Sequence, residues 1–276
     1  MSKKELFFST KLINNLKIVI LSDIHFSKSF KLKVFTKLLL SISKISPDYI
    51  FIIGDLIDYE EVDYPTLKSF LHNLEQYSEV IIVIGNHEFY KKDPNSSRWQ
   101  KSSCSQLLKT IHSLDNTILL TNDIYHDYAN NLTITGLVLD FDYYQKKEPL
   151  AIFKKSLTKL PNPPQNTYNI LLVHTPYNIL RSQSELKNYQ LILSGHMHAG
   201  LVPAYLSFIF PKNRGLISPW KKPFPNMVRG RYKTNYSEGY IYEGITKLAH
   251  SSKIFHKFDF LYPKKVLEIE LQKGQK

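Results

Sequence analysis

The sequence is short of cysteine and of long apolar runs, and each shortage excludes a class of protein. Cys104 is the only cysteine among the 276 residues, so no intrachain disulfide can form, as is usual in a reducing cytosol. No apolar run reaches the roughly 18–20 residues that a membrane-spanning helix requires. The first residues include lysines but lack a signal-peptide core and a small-residue cleavage motif. We therefore expect a cytoplasmic protein, with peripheral contact to a membrane as the alternative.

Acidic residues are also in the minority. The chain has 36 lysines and arginines against 24 aspartates and glutamates, which gives a formal net charge of +12. This charge favours anionic partners such as nucleotides, nucleic acid or acidic lipid surfaces, but it carries no information about the fold. With 276 residues and 43% apolar composition, the chain can bury one sizeable core, so we predict a single domain over residues 1–276.

One local pattern occurs five times along the chain. Each copy is a short run of Ile, Leu and Val that breaks into Asp, Asn or His: LKIVILSDIH from Leu16, YIFIIGDLID from Tyr49, VIIVIGNHE from Val80, NILLVHTP from Asn169 and LILSGHMHAG from Leu191. Such continuous apolar runs are typical of strands buried on both faces.

Two stretches with helical spacing separate the first three runs. Their apolar side chains share one face in each stretch, namely Leu38, Leu39, Ile42 and Ile45 in the first and Leu67, Phe70, Leu71 and Leu74 in the second. This alternation predicts an α/β fold with parallel β-α-β units. In such sheets ligands bind beyond the carboxyl ends of the strands, and all five polar breaks stand at such ends. We therefore predict one shared site there.

The side chains at the breaks are of the kinds that bind metals. They are Asp23, His25, Asp55, Asp58, Asn86, His87, His174, His196 and His198, and they include half of the ten histidines. Imidazole, carboxylate and amide oxygen without thiolate favour Mn²⁺, Fe or Zn²⁺, and of these we expect Mn²⁺. The i, i+2 spacing of Asp23 with His25, and of His196 with His198, predicts side chains on one side of an extended segment. Seven ligands suit two divalent ions that share one carboxylate, an arrangement typical of phosphoester hydrolysis.

The blocks DIH, GDLID, GNHE, the later histidine of VHTP, and GHMH, in this order, closely resemble those of the calcineurin-like metallophosphoesterase family. The resemblance extends from about Leu16 to Leu271 and includes the closing segments GYIYEGI and KKVLEIEL. It implies a four-layer α/β/β/α sandwich with a dimetal site at the carboxyl ends of the strands.

The resemblance also implies a role for each residue at the breaks. The first metal would be held by Asp23, His25 and His198, the second by Asn86, His174 and His196, and Asp55 would bridge them. His87 would contact the phosphate or protonate the leaving oxygen, and Asp58 would orient His87.

The chain also departs from some relatives. Phosphoprotein phosphatases of this superfamily carry arginines where Tyr59 and Ile84 stand here, so that class is not expected. The small bacterial-type branch remains, which includes phosphodiesterases and pyrophosphatases. We expect hydrolysis of a phosphodiester or pyrophosphate bond, in a lipid-linked or nucleotide-sugar substrate. The alternatives are a nuclease or cyclic-nucleotide phosphodiesterase and, more distantly, a non-catalytic scaffold of the same fold.

One segment has no place in this pattern. We interpret residues 204–237 as a basic insertion, within which residues 211–233 contain four lysines, three arginines and no acid, interleaved with Trp220, Phe224 and Tyr232. One interpretation is a solvated loop over the core. Another is a flap that binds acidic lipid head groups or an anionic substrate, with apolar residues directed toward acyl chains. Binding to single-stranded nucleic acid is the third.

Overall fold

The computed structural model describes residues 2–28, 30, 32–58, 62–92, 99–101, 104–145, 148–206, 208–211, 213–219, 221–246 and 264–274. Tyr59 and Trp220 lie outside these ranges. The strands in the described part are β1 Ser2–Ser9, β2 Leu16–Leu21, β3 Tyr49–Ile53, β4 Glu79–Val83, β5 Tyr90–Lys92, β6 Trp99–Lys101, β7 Thr117–Leu119, β8 Ile124–Asp127, β9 Leu132–Leu137, β10 Tyr168–Val173, β11 Leu191–Ser194, β12 Gly230–Lys233, β13 Glu238–Ile241 and β14 Val266–Lys273. The helices are α1 Leu32–Ser43, α2 Tyr64–Glu75, α3 Ser105–His112, α4 Phe141–Tyr144 and α5 Pro149–Leu157.

The strands form two six-stranded sheets and a small hairpin. The first sheet has the order β1-β14-β2-β3-β4-β7, the second has the order β12-β13-β11-β10-β9-β8, and β5 pairs with β6. The unit β2-α1-β3-α2-β4 has parallel strand pairs, as the alternation of apolar runs and helical stretches predicts. The predicted helix faces are inward, since Leu38 and Ile42 of α1 and Leu67 and Phe70 of α2 are buried.

The second sheet is covered on both faces, and β10 shows how. Ile170 and Leu172 belong to the apolar cluster shared with the first sheet. Leu171 and Val173 belong to a second apolar cluster, which includes Tyr143 of α4 and residues of α5. Alternate side chains of one strand therefore serve two different cores. Helices, sheet, sheet and helices form the four layers that the family resemblance implies, so the predicted fold class is confirmed.

The closing segments lie in different sheets. β13, from the GYIYEGI stretch, pairs parallel with β11, and β14, from the KKVLEIEL stretch, pairs antiparallel with β2. The end of the basic segment is β12, an edge strand antiparallel to β13. Because β12 completes the second sheet, interpreting the whole basic segment as a loop or flap is wrong for residues 230–233. Among the described residues, no helix has the length and apolar character needed to cross a membrane.

Candidate metal centre

The five polar breaks converge on one rim of the sandwich. β2, β3 and β4 of the first sheet and β10 and β11 of the second end there, so both sheets contribute side chains. Potential ligand atoms form two sets here, and within each set all atoms lie within 4.8 Å of one another. One set comes from Asp23, His25, Asp55 and His198, and the other comes from Asp55, His174 and His196. Asp55 is the residue that both sets contain.

Asp55 is at the centre of the rim. Its Oδ2 lies 3.1 Å from His174 Nε2, 3.8 Å from His87 Nε2 and 3.9 Å from His25 Nε2. Its Oδ1 accepts a hydrogen bond of 2.9 Å from the backbone N–H of His87. One carboxylate oxygen is therefore held by the protein, while the other faces three imidazoles.

Other side chains at the rim likewise have one polar atom fixed by a hydrogen bond and a second one directed to the rim. Asp23 Oδ2 accepts from the backbone N–H of His196 at 3.1 Å, which leaves Oδ1 buried with no hydrogen-bond partner. His174 Nδ1 lies 2.8 Å from the carbonyl of Ile53, and His198 Nδ1 lies 2.8 Å from the carbonyl of Thr246. In each case one atom is fixed and the other is directed to the rim, as expected of metal ligands with supporting hydrogen bonds.

Buried polar atoms without partners test whether these residues fit a metal pair. Their list includes Asp23 Oδ1, His25 Nε2, Asn86 Oδ1 and His196 Nε2. Such atoms are costly to bury, and a cluster of them at one place is typical of a binding site. Each can donate a lone pair, so the residues present fit divalent cations.

The electrostatics of His25 and His196 agree with this fit, whereas His174 differs from them. Burial lowers the pKa of His25 and of His196 well below the usual value, and the neighbouring imidazoles of His87 and His174 lower it further. Both rings are therefore neutral, which is the form that binds metals. Burial also disfavours a charge on His174, but the carboxylate of Asp55 outweighs it and raises the pKa of His174 to about 9.

The backbone at the rim differs from the extended segments expected from the i, i+2 spacing. Asp23 and His25 both have φ of 52°, and His196 and His198 have φ of 69° and 46°. These values lie in the left-handed region, so extension does not bring the paired side chains together, and this part of the prediction is wrong. Left-handed backbone at non-glycine residues costs free energy and clusters at functional sites. His196 and His198 belong to different sets of ligand atoms, whereas Asp23 and His25 belong to the same set.

His87 lies beside the ligand sets, in a third set with His25 and Asp58. His87 Nδ1 is 3.1 Å from Asp58 Oδ1, and both residues are almost fully buried. Burial disfavours a charge on His87, but Asp55 and Asp58 outweigh it, so the pKa of His87 is raised. A protonated imidazole near neutral pH can donate a proton.

Glu88 is a rim residue that the sequence analysis missed. It is 1% exposed, and its carboxylate accepts from the backbone N–H groups of Gly85 at 2.7 Å and of Asp55 and Ile57 at 3.2 Å. Glu88 therefore ties the loop after β3 to the loop after β4. The sequence did show an acidic residue directly after the GNH stretch. It could not show that the carboxylate of this residue binds backbone N–H groups.

Ser22 and Thr246 are further supports that the sequence analysis missed. The Ser22 hydroxyl lies 2.6 Å from both Asp23 Oδ2 and the carbonyl of Ile53. The carbonyl of Thr246 is the hydrogen-bond partner of His198 Nδ1, and the Thr246 hydroxyl donates to the carbonyl of Ile24 at 2.9 Å. Gly195 leaves no room for a side chain, because a Cβ there would collide with Ser22.

The remaining predicted features lie as follows. Ile84, in place of a phosphatase arginine, is buried. The basic segment reaches the rim, since the N–H of Leu216 donates to the carbonyl of Gly200 at 2.8 Å, two residues after His198. His72, which lies outside the five polar breaks, is exposed beside Glu75.

Known proteins resemble this chain in sequence and in fold. Residues 16–200 match the family model described as calcineurin-like phosphoesterase. An uncharacterized metallophosphoesterase of Campylobacter jejuni is 27% identical over 203 residues, which is 74% of this chain and 49% of that protein. A transmembrane protein with metallophosphoesterase domain from Bos taurus is 30% identical over 206 residues, 69% of this chain and 42% of that protein. The chain thus spans about half the length of these relatives.

Among solved structures, a dimetal phosphatase from Danio rerio aligns with a TM-score of 0.45 and 12% identity, covering 83% of this chain and 87% of that one. The phosphopantetheinyl hydrolase of Mycobacterium tuberculosis aligns with a TM-score of 0.46 and 12% identity, covering 83% and 89%.

Proposed function

The chain belongs to the calcineurin-like phosphoesterase family, and on this premise we propose that it hydrolyses phosphoester bonds with two divalent metal ions. The observation that carries the proposal is the pair of ligand sets that share Asp55. A carboxylate can serve as a ligand to two ions at once, so Asp55 would be shared between them.

We assign the ligands by set. Asp23, His25 and His198 would hold the first ion with Asp55, and His174 and His196 would hold the second with Asp55 and Asn86. The first six of these residues have ligand atoms within the two sets, and Asn86 adds a buried amide oxygen with no hydrogen-bond partner. The donor atoms are nitrogen and oxygen, which suits Mn²⁺, with Fe and Zn²⁺ as the other candidates.

When bound by these residues, two divalent ions would supply a nucleophile derived from water and would neutralise charge on the phosphoryl oxygens. The protein supplies the proton and the positioning. His87 donates a proton to the leaving oxygen, and the carboxylate of Asp58, 3.1 Å from His87 Nδ1, holds the ring in place and favours its charged form. Glu88 fixes the backbone that carries Asp55.

The substrate that we propose is a phosphodiester or pyrophosphate with a large anionic or lipid-linked group, such as a nucleotide sugar. The absence of acid from Leu186 to Ser237, beside the rim, supports capture of such a group. The name of the bovine relative, which combines the domain with a transmembrane protein, fits a substrate at a membrane. A nuclease or cyclic-nucleotide phosphodiesterase is the second candidate, favoured by the same basic segment.

A metal titration combined with a substrate panel tests the proposal. The purified protein should bind two equivalents of Mn²⁺ by calorimetry, hydrolyse a generic aryl phosphodiester and lose this activity with a chelator. The panel would compare nucleoside diphosphate sugars, cyclic nucleotides and single-stranded DNA, with Fe²⁺ and Zn²⁺ in place of Mn²⁺ as further arms.

The controls separate an enzyme from a scaffold. His198→Ala should lose metal and activity, whereas the exposed His72→Ala should keep both. A protein that binds no metal in the titration would overturn the proposal. Two bound equivalents without hydrolysis of any substrate in the panel would favour the scaffold.

A further inference from the structure

The basic segment is joined to the rim by its backbone. The N–H groups of Leu216 and Ile217 donate to the carbonyl of Gly200 at 2.8 and 3.2 Å. The N–H of Phe224 in turn donates to the carbonyl of Leu216 at 2.9 Å. Residues 213–219 and 221–226 therefore form the described part of an irregular hairpin, called here the basic hairpin, that is fixed two residues from His198.

The contact at Gly200 is close enough to exclude a side chain. A Cβ on Gly200 would collide with the backbone of Gly215, and a Cβ on Gly215 would collide with Gly200. Gly200 also has φ of 62°, which glycine tolerates best. The hairpin is thus packed directly on the turn that carries His198.

Large apolar side chains are exposed on this part of the molecule. Of the fourteen that are exposed in the described chain, five lie between Tyr205 and Phe224, and they are Tyr205, Phe208, Ile209, Ile217 and Phe224. Phe208 is 83% exposed and Phe224 is 63% exposed. Concentrated exposed apolar surface marks an interaction site.

The sequence around these side chains carries charge of one sign. No aspartate or glutamate occurs from Leu186 to Ser237, and Lys221 and Lys222 of the basic hairpin are exposed next to Phe224. Exposed aromatic residues flanked by lysines complement a surface with an apolar interior and an anionic face. An anionic lipid bilayer is such a surface.

We propose that residues 205, 206, 208 and 209 and the basic hairpin dock the protein on an anionic lipid bilayer. Phe208, Ile209 and Phe224 enter the head-group region, while Lys221 and Lys222 contact lipid phosphates. Because the hairpin is fixed at Gly200, docking places the rim next to the bilayer surface. That the rim there cleaves a lipid-linked substrate rests on the proposed function, but the docking itself does not.

Sedimentation with vesicles tests the docking without any turnover. The full chain would be mixed with vesicles of phosphatidylcholine alone or with added phosphatidylglycerol. We expect binding to the anionic vesicles. Phe208→Ser/Phe224→Ser should lower the partition coefficient at least about tenfold, because two aromatic side chains no longer insert. Lys221→Gln/Lys222→Gln should lower it roughly thirtyfold, since each cation near an anionic bilayer is worth about a factor of five.

Matched variants elsewhere on the surface control for general effects. Leu40→Ser/Tyr128→Ser removes two exposed apolar side chains of α1 and of the turn after β8, and Lys33→Gln/Lys37→Gln removes two exposed lysines of α1. Both should bind like the wild type, and all variants should retain activity on the small aryl diester.

Several results would overturn the docking proposal. They are a wild-type protein that does not sediment with anionic vesicles, and an equal loss in the test and control variants. Binding of single-stranded DNA that depends on Lys221 and Lys222, without vesicle binding, would assign the segment to nucleic acid. Failure of the proposed function appears separately, as vesicle binding by a protein without metal-dependent hydrolysis.

Discussion

The rim and the basic hairpin are neighbours in space but opposite in construction. At the rim, side chains are buried and one polar atom of each of Asp23, Asp55, His174 and His198 is held by the protein. In the hairpin, Lys221, Lys222 and Phe224 are exposed. The rim holds its polar side chains in fixed positions inside the protein, whereas the hairpin exposes cationic and apolar side chains to a partner.

This difference indicates where the effects of substitutions should appear. A change at the rim disturbs a network whose members share partners, so it should alter metal binding or turnover. A change in the hairpin removes an isolated exposed group, so it should alter association and leave turnover on a small substrate unchanged. Substitutions in the two regions can therefore break or sharpen the comparison.

The largest effect is expected for Asp55→Ala. It removes the carboxylate common to both ligand sets, and it leaves His25, His87 and His174 without their shared anion. Hydrolysis of the aryl diester should fall below detection, and metal analysis should show loss of both equivalents. Asp140→Ala, at an exposed carboxylate, should behave as wild type. Retention of one full equivalent of metal would show that Asp55 does not bridge.

His87→Ala should affect turnover and spare the metals. His87 lies beside the ligand sets, with Asp58 3.1 Å from its Nδ1. Loss of a positioned proton donor should lower kcat by roughly 10²–10⁴-fold, with both equivalents of metal retained. Asp58→Asn should give a milder form of the same defect, because the ring remains but its charged form is less favoured. Metal loss as large as that of Asn86→Ala would make His87 a ligand.

Glu88→Gln should lower metal affinity or activity indirectly, by disturbing the backbone that Glu88 holds. In the wild type the backbone N–H groups of Gly85, Asp55 and Ile57 donate to the Glu88 carboxylate. In the variant, the NH₂ group of the glutamine side chain would face at least one of these donors. Metal affinity or activity should fall by about 10–100-fold, as for other groups that support metal ligands.

Glu75→Gln is the matched control for Glu88→Gln. Glu75 also accepts from a backbone N–H, that of Asn116 at 2.7 Å, but in α2 and away from the rim. It should lower stability without altering metal affinity. Equal effects on metal affinity in the two variants would contradict a supporting role specific to Glu88.

The sequence predicted the fold and brought the residues of the five polar breaks to one rim, because both depend on local signals. Continuous Ile, Leu and Val runs such as residues 169–173 identify strands buried on both faces, and each break follows its strand directly. The order of the blocks then gave the family, which the match over residues 16–200 confirms. The enzyme prediction is supported by the same match.

What the sequence did not predict depends on contacts between distant segments. The left-handed backbone at Asp23 and His196 arises because each loop packs against the other, through the His196 N–H and Asp23 Oδ2. The direction of Glu88 toward the loop after β3 is set in the same way. The basic segment was predicted by composition alone, and composition could not distinguish its exposed hairpin from its edge strand β12.

The smallest expected effect separates these two parts of the basic segment. Arg231 of β12 lies over the ring of Phe7, 4.1 Å from its centroid, and its Nη2 donates to the carbonyl of Leu6. It thereby joins the edge strands of the two sheets, β12 and β1. Arg231→Ser should lower the free energy of unfolding by about 1 kcal/mol, which corresponds to a fall in Tm of about 2–4 °C.

Lys233→Ser, on the same strand, is the control for Arg231→Ser. The Lys233 side chain is 75% exposed and forms an ion pair with Glu238 at 3.2 Å, so its loss should change Tm little. Arg231→Lys should recover part of the lost stability, because an ammonium keeps the charge but cannot stack as a planar group. Vesicle binding should remain close to wild type in all three variants, since these side chains lie on the sheet edge. If Arg231→Ser instead weakened vesicle binding as strongly as Lys221→Gln/Lys222→Gln and left Tm unchanged, β12 would belong to the docking surface and the division between edge strand and hairpin would be wrong.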